Sequence, residues 1–582
     1  MAMPTNPEHA YESIKRTRDR LEALRTKRSS WVETWRDISE HFVPRNGQFT
    51  FSRDANRGSR KDRKILNNTG TLAVRACSAG FHSGMSSPGK PWFTLSTSNR
   101  KHMKSVRVRQ YLRDIEDLIR ATLSASNIYR VLPQVYTECP TFGTAVVLMD
   151  KNLRHAGRAS MDLADVVQFT MLAIGTYYIG VDARGRLAVV VREFEQTVDQ
   201  IVEAYGYDAC SDSVKTAYDS GRFEQMVPLI HAIEPRRTRD PNSPLASDMQ
   251  FRSVVFEHGC NDGRKLLDSG FRSMPAFAAR WDVLVEDVYG SGPGMDALGD
   301  ARELQEKEVM LGKAEAQMSD PAIVVPAALK QGADFLPGGV SYMTMTSQHD
   351  RTQNAVDIQI NQQHMYAGID RIQRRIEKAF FVDLFRMLEN DTRSNVTARE
   401  IAERHEEKLL AVGPVVERVE NEVLRVIVDF TFEALVERDE MRVRMGLEPS
   451  LPEPPAELED EPLDIEFTGM LSQAVKAAEA ARLDRFIGIV GAAAALDPSA
   501  LDAVSITAYL DAYSRLMNIP PEVMTDDVRR RVLAEARSKQ MAAQAQAQQA
   551  KTASEAARNM AAASPAAATD VASAAAVANA IN

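Results

Sequence analysis

Tyr289-Gly290-Ser291-Gly292-Pro293-Gly294 opens the segment on which the reading of this chain turns, a segment that runs to Thr397. After the Gly/Pro hinge, Asp300-Ala301-Arg302-Glu303 is an aspartate form of a capping box, so a helix is expected from there or from a turn earlier, at Asp296. Leu304, Leu311 and Met318 recur at seven-residue spacing with Ala301 and Ala314 between them, which predicts one narrow apolar stripe. Ser319-Asp320-Pro321 ends that helix, because the residue before a proline is pushed out of the α region. A β-prone insert follows, Ala322-Ile323-Val324-Val325-Pro326, and then Phe335-Leu336-Pro337-Gly338-Gly339-Val340-Ser341-Tyr342. From Asp357 a second helix should carry Met365, Ile369, Ile372, Ile376, Phe380 and Leu384 on one face. It dissolves into the polar run Glu389 to Asn395, and Thr397-Ala398-Arg399-Glu400, a regular capping box, starts a third helix. Helix, small β insert, returning helix, polar loop and long helix describe a rod with a tip, not a catalytic pocket.

Around this rod the chain has 582 residues, enough for about three or four domains. A hydrophobic content of 44%, a charged content of 26% and a net charge of −9 describe an ordinary chain and exclude a basic nucleic-acid clamp. No apolar run reaches the length of a membrane span, so no membrane partner is expected. The N-terminal residues have no charged-then-apolar leader pattern. Cys77, Cys139, Cys210 and Cys260 are scattered without a CxxC pair and read as reduced thiols of a cytosolic compartment. His405-Glu406-Glu407-Lys408-Leu409 lacks the second histidine of a zinc-protease helix, so no metal and no cofactor are expected.

The first 288 residues read as one large α+β domain. Asn6-Pro7 can cap a first helix carrying Ile14, Leu21, Leu24, Trp31, Val32, Trp35 and Ile38, stopping at Pro44. Residues 45–64 form a polar, basic stretch with Arg57, Arg60, Lys61, Arg63 and Lys64 clustered, and a helix follows from Thr69 to Gly84. Gly84, Gly89 and Lys90 then fit GxxxxGK, the phosphate cradle of nucleotide hydrolases. The context is wrong: a helix precedes it, the magnesium position is Pro91, and an extended apolar run follows. Proline neither ligates a metal nor donates an amide to phosphate. Further on, Val106–Leu123 is helical and Phe142 to Met149 opens a β-rich region. Asp182-Ala183-Arg184-Gly185-Arg186 and Asn261-Asp262-Gly263 each sit between strand-like runs as hairpin turns, with a helical stretch expected over residues 195–225. After the rod, residues 397–438 read as one long helix with the stripe Val412, Val416, Val419, Val423, Ile427, Phe430 and Ala434, bent at Gly413-Pro414. An acidic, proline-rich linker leads to one returning strand at Ile465-Glu466-Phe467. Helices follow over 470–496, 502–517 and from Asp526, and residues 540–582 form an Ala/Gln-rich tail, helical or disordered.

The chain resembles the head-to-tail connecting (portal) proteins of short-tailed double-stranded DNA bacteriophages. Ser83 to Phe93, Ser126 to Tyr129, Phe142 to Ala145, and Gly175 to Gly185 running into Arg192-Glu193-Phe194 carry the resemblance. So do Arg280-Trp281, Asp287 to Gly294, Phe381 to Phe385, and Thr397 to Ile401 leading to Gly413-Pro414. Each is weak alone, and together, in order over residues 11–530, they are specific. The resemblance implies a multidomain α+β portal-type fold assembled as a dodecameric ring at one capsid vertex. Residues 1–288 with 397–468 would form the wing, 289–319 and 357–388 the stem, and 320–356 the clip, with Val324, Pro326, Lys330, Phe335 and Tyr342 facing the motor and tail. Residues 389–396 would form the tunnel loop, with Asn390, Asp391, Thr392, Arg393, Ser394 and Asn395 at the channel, and 469–539 the crown. It also implies a virion protein made in the host cytoplasm, with no enzymatic activity. Its expected partners are double-stranded DNA passing without sequence specificity, the terminase large subunit, tail and adaptor proteins, and the major capsid and scaffolding proteins.

A conduit must hold DNA loosely, because basic surfaces bind this polyanion by counterion release. A subunit charge of −9 repeated around twelve copies gives about −100, a field that opposes adhesion to the wall. Arg393 and Lys330 are the candidates for sparse cationic rings. Glu303, Glu306 and Glu308 on the first stem helix are expected to pair with Arg371, Arg374 and Arg375 on the second, between neighbouring subunits. The competing readings are an ATP-driven DNA translocase, which Pro91 argues against, and a helical scaffold or pore-forming protein, which does not require these motifs in this order.

Overall fold

The structure is a computed structural model of the chain. The structure describes residues 7–49, 64–97, 105–151, 166–237, 245–259, 263–284, 287–319, 362–390, 411–458, 463–494 and 527–563, with a few short stretches between. Two compact units divide it at residue 504.

Helix α1 (Pro7–His41) starts with proline in its first turn, where no N–H donor is needed. Its first half lays Ile14 and Leu21 on a five-stranded sheet, and its second half buries Trp35, Ile38 and, just beyond its end, Phe42 in the main core. Helix α2 (Thr69–Met85), strand β1 (Phe93–Thr97) and helix α3 (Val106–Ala125) follow. The Glu116 carboxylate on α3 accepts the Leu95 N–H at 2.7 Å, tying helix to strand.

Helix α4 (Ile128–Phe142) was not evident in the sequence, because it holds Pro133 and Pro140 in its interior. Burial stabilises it: ten of its residues, from Ile128 to Phe142, are out of solvent. The Pro133 carbonyl accepts the Ser78 and Thr137 hydroxyls at 2.9 and 2.8 Å. Gly143 ends the helix in the left-handed region, φ 78°. Strand β2 (Thr144–Lys151) follows at once and lies between β3 (Val167–Leu172) and β9 (Ala276–Arg280).

The second sheet runs β4 (Tyr177–Val181), β5 (Leu187–Thr197), β6 (Met226–Pro235), β7 (Phe251–Glu257) and β8 (Leu267–Phe271), all antiparallel. Both expected hairpins pair as read. In the first, the Asp182 carboxylate accepts the N–H groups of Arg184 and Arg186 at 2.8 and 2.9 Å, and Gly185 has φ 74°. The helical reading of 195–225 needs correction: β5 continues to Thr197, and only α5 (Val198–Tyr205) and α6 (Asp212–Asp219) are α-helical.

Next come α7 (Pro293–Asp296) and α8 (Leu298–Ser319), which ends at Ser319 as expected. Ala301, Leu304, Leu311 and Ala314 are buried, but Met318 is 49% exposed, so the seam stops a turn before the helix does. The returning helix is two helices, α9 (Gln362–Ala379) and α10 (Val382–Asn390). They break at Phe381, which has φ 56°. Asn390 therefore ends a helix instead of opening a loop.

Residues 411–419 are helical, Glu420–Leu424 form a π turn, and a helix continues over Arg425–Arg444, beyond the expected end. The whole expected stripe from Val412 to Ala434 is buried. Strand β12 (Leu463–Phe467) returns antiparallel on β1, with Phe93 opposite Phe467 and Leu95 opposite Ile465. Helix Met470–Ala494 completes the first unit. In the second unit a helix spans Asp527–Ala563, running without a break through residue 540, where the sequence reading placed the start of the tail.

Two outcomes test this packing. A Cβ on Gly143 would lie 2.0 Å from the Gly290 carbonyl oxygen, whereas one on Gly185 meets nothing within 4 Å. Gly185→Ala should therefore lose only the left-handed preference, about 1 kcal/mol, and Gly143→Ala clearly more, about 3 kcal/mol or above, read by urea denaturation. Glu138 on α4 is buried with Oε2 unpartnered, and burial holds its carboxyl well above the ordinary 4.5. The folded state therefore binds this proton more tightly than the unfolded chain, so stability falls as pH rises above the unfolded value. The slope is about 1.4 kcal/mol per pH unit until the raised folded value is reached. Glu138→Gln should match the parent at pH 4 and exceed it at pH 8 in urea midpoint.

Candidate functional site

Helices α8 and α9 run antiparallel. Tyr366 donates its hydroxyl to Glu315 at 2.7 Å, and Arg375 pairs with Asp300 at 2.6 Å and Glu303 at 3.1 Å, so the two chain directions oppose. Between them lies the apolar seam of Leu304 and Leu311 with Ile369, Ile372 and Ile376. The seam carries most of the energy. The exposed ion pairs are screened by water and add little, while burying one leucine or isoleucine contributes about 2 kcal/mol.

Three of the six charges expected to pair between neighbouring subunits, Glu303, Arg374 and Arg375, carry ion pairs within this chain. Glu303 and Arg375 meet within one chain, and Lys307 also holds Glu303 at 2.8 Å. Arg374 pairs with Asp370, one turn away, at 2.6 Å. Glu308 accepts the Asn67 side-chain amide at 2.6 Å. Only Glu306 and Arg371 of the six stay exposed without an ion pair to any described residue.

The helix pair is fastened to the α+β body at both ends of its base. Gln305, 8% exposed, accepts the N–H groups of Leu66 and Asn67 at 2.7 and 3.0 Å and donates to the Asn67 carbonyl at 2.9 Å. Beside it Arg302 pairs with Asp37. On the returning side, the break at Phe381 is set by aromatic packing. Phe380 meets Phe42 at 5.5 Å, Phe381 meets Trp281 at 6.2 Å and Phe385 meets Phe81 at 5.4 Å between ring centroids. A Cβ on Gly80 would fall 2.0 Å from the Phe385 ring, so α2 presents glycine where that ring lands. The positive φ at a phenylalanine costs energy that three ring contacts offset.

Of the loop residues singled out by sequence, Asn390 closes α10, and Asp391, Thr392, Arg393, Ser394 and Asn395 lie outside the described residues. Of the clip residues, Val324 sits in the two-residue strand β10 (Ile323–Val324), opposite Gln353 of β11 (Gln353–Asn354). Pro326, Lys330, Phe335 and Tyr342 lie outside. Gly413 and Pro414 are helical, but residue 410, whose carbonyl an amide at 414 would reach, is also outside. The described departure from α geometry in this helix is instead the π turn at Glu420–Leu424. It brings Glu422 to Arg280, with Nη2 2.6 Å from Oε1, while Arg418 donates to the Trp281 carbonyl at 3.0 Å. These contacts lock the long helix to β9, and sequence reasoning missed them because the partners are far apart in the chain.

The GxxxxGK match is not a phosphate cradle. Gly84 sits within α2, where a Cβ would touch Leu471 at 3.0 Å. Lys90 lies in an exposed turn before β1, so the order is helix, turn, strand, the reverse of a nucleotide loop. Among the described residues no group of three His, Cys, Asp or Glu could hold a metal, and no helix is long and apolar enough to cross a membrane. Cys77 and Cys139 are free and buried, and burial pushes both thiols far up, away from thiolate reactivity.

Residues 15–524 match the family model of the bacteriophage head to tail connecting protein. The chain is 38% identical over 527 residues to the probable portal protein of Bordetella phage BPP-1, covering 90% of this chain and 91% of that one. It is 34% identical over 531 residues to the portal protein of Salmonella phage epsilon15, covering 90% and 92%. A chain of the virion of a native gene transfer agent particle, 11% identical, covers 64% of this chain and 94% of its own with a TM-score of 0.26, too low to bear on the fold. With the family model spanning both the α+β body and the α8–α9 pair that rises from it, this chain belongs to the bacteriophage head-to-tail connecting protein family.

Proposed function

We propose that the protein is a phage portal, a ring of identical subunits at one capsid vertex through which double-stranded DNA is packaged and ejected. The observation that carries this reading is the family match over residues 15–524, together with an antiparallel helix pair whose base is fastened into the body at both ends. In this reading residues 1–288 and 397–468 are the wing, 289–319 and 357–388 the stem, 320–356 the clip and 469–539 the crown. The clip docks the terminase large subunit during packaging and the tail and adaptor proteins afterwards, while the wing meets capsid and scaffolding proteins. The ring takes twelve copies and works in the virion after assembly in the host cytoplasm.

The protein is structural and has no catalytic step. Glu306 and Arg371, exposed on adjoining helices without a described ion-pair partner, remain the stem charges free to meet a neighbouring subunit. The polar run 391–395 between α10 and the long helix is the tunnel loop, with Arg393 as its one cation. An arginine repeated once per subunit touches phosphate sparsely, enough to steady the duplex without arresting it. Pro91 and the helix-to-strand order around Lys90 argue against the translocase alternative.

Deleting Asp391 to Ser394 tests the reading. Rings should form in normal yield by native mass spectrometry, while particles retain at least about tenfold less full-length DNA. Loss of the ring itself would show that the loop is a contact between subunits and not a channel element.

A further inference from the structure

Between β5 and β6 the chain leaves the sheet for residues 198–225 and builds a small core of its own. Val198, Ile201, Cys210, Val214 and Ala217 pack there against Leu229, Val255 and Leu266. Local signals hold this knob in shape. Thr197 and Gln200 form a complete capping box at the start of α5, and the Ser211 hydroxyl accepts the Val214 N–H at the start of α6.

On its outer surface stand three aromatic rings in a row. Tyr207 and Tyr218 lie 6.0 Å apart and Tyr218 and Phe223 5.2 Å apart, both edge-to-face. Tyr207 is 39% exposed, Phe223 43% and the nearby Met226 45%. The row is held in advance of any contact: the Tyr207 hydroxyl donates to Asp219 at 2.9 Å, and the Lys215 ammonium sits 5.5 Å from the Tyr207 ring centre. Rigid, exposed aromatic surface loses little conformational freedom on binding, which is what makes it effective at interfaces.

The charge around the row selects the partner. Residues 198–226 hold six carboxylates against Lys215 and Arg222, a net charge of −4. Asp212 is engaged with Arg264 at 3.1 Å, but Asp199, Glu203, Asp208 and Glu224 are exposed and make no ion pair with any described residue. Such a face repels a nucleic acid or an anionic membrane. It attracts guanidinium and ammonium groups, which gain both from the unpaired carboxylates and from the faces of Tyr207 and Phe223.

We infer that the Tyr207–Tyr218–Phe223 row is a docking surface for a basic segment of another protein, its cations on the carboxylates and rings and an aliphatic side chain against Phe223 and Met226. The inference is independent of the channel reading and adds a partner chemistry to it. The probe is a fluorescent twelve-residue peptide of alternating Arg and Leu, titrated into the full-length protein at 0.15 M salt and followed by anisotropy. A labelled alternating Glu and Leu peptide and a labelled short DNA duplex are titrated separately in the same way. Saturable binding is expected that weakens at least about fivefold in Phe223→Ala and in Tyr207→Ala. In Asp208→Asn combined with Glu224→Gln it should weaken and lose salt dependence. Circular dichroism should stay unchanged in each variant, since the substituted groups are exposed. Equal binding by parent and Phe223→Ala overturns the inference, as does equally tight direct binding of the labelled acidic peptide or of the labelled DNA. A change of association state in Phe223→Ala by sedimentation also overturns it, because the face would then belong to a second copy of this chain.

Discussion

The architecture depends on a contact of backbone against backbone, where the end of α4 meets the hinge before α7. Gly143 turns left-handed at the end of α4, and its carbonyl accepts the Trp281 N–H at 3.0 Å. The Gly290 N–H donates to the Thr144 hydroxyl at 2.8 Å. A Cβ on Gly292 would lie 2.7 Å from the Pro140 carbonyl, and one on Gly294 2.1 Å from that of Thr141. No side chain fits between these segments, so three glycines of one strand-like hinge and one helix-ending glycine are required together. The contact joins α4, the β2–β9 pair and the start of α7 and α8 into one body, and thereby fixes the direction in which α8 leaves it.

From that weld the rest follows in order. Tyr289, just before the hinge, packs on Trp35 at 5.1 Å between ring centroids, and its hydroxyl accepts the Ile179 N–H at 3.2 Å. This connects α1 and the five-stranded sheet to the same point. Gln305 and the Phe380–Phe385 rings then hold the helix pair at its base, and the π turn clamps the long helix on β9 through Glu422 and Arg280. A helix pair so fastened transmits force to the body through packed side chains with little slack.

The seam of the α8–α9 pair was legible in the sequence because Ala301, Leu304 and Leu311 have a helical period and each is buried. Met318 has the same spacing yet lies exposed, since periodicity says nothing about where a partner helix ends. The break at Phe381 was hidden for a similar reason: Phe380 and Leu384 are both buried, so the apolar pattern runs on through a backbone that does not. Helix α4 was illegible because two prolines argue against a helix that only tertiary burial stabilises. The returning strand at Ile465 was read correctly, although its partner near Leu95 could not be named, since pairing between distant segments leaves no local trace. For the candidate site, the charges were placed on the right two helices, while the Arg375–Glu303 pair within one chain could not be read from their spacing.

The central claim is that this chain closes into a ring around a bore that passes duplex DNA. Imaging purified full-length protein by electron microscopy, with native mass spectrometry for stoichiometry, tests it most directly. The account predicts closed rings of one subunit number, twelve, with an open channel on the axis and paired helices lining its waist. A monomer at micromolar concentration, or an open filament without an axial channel, would contradict it.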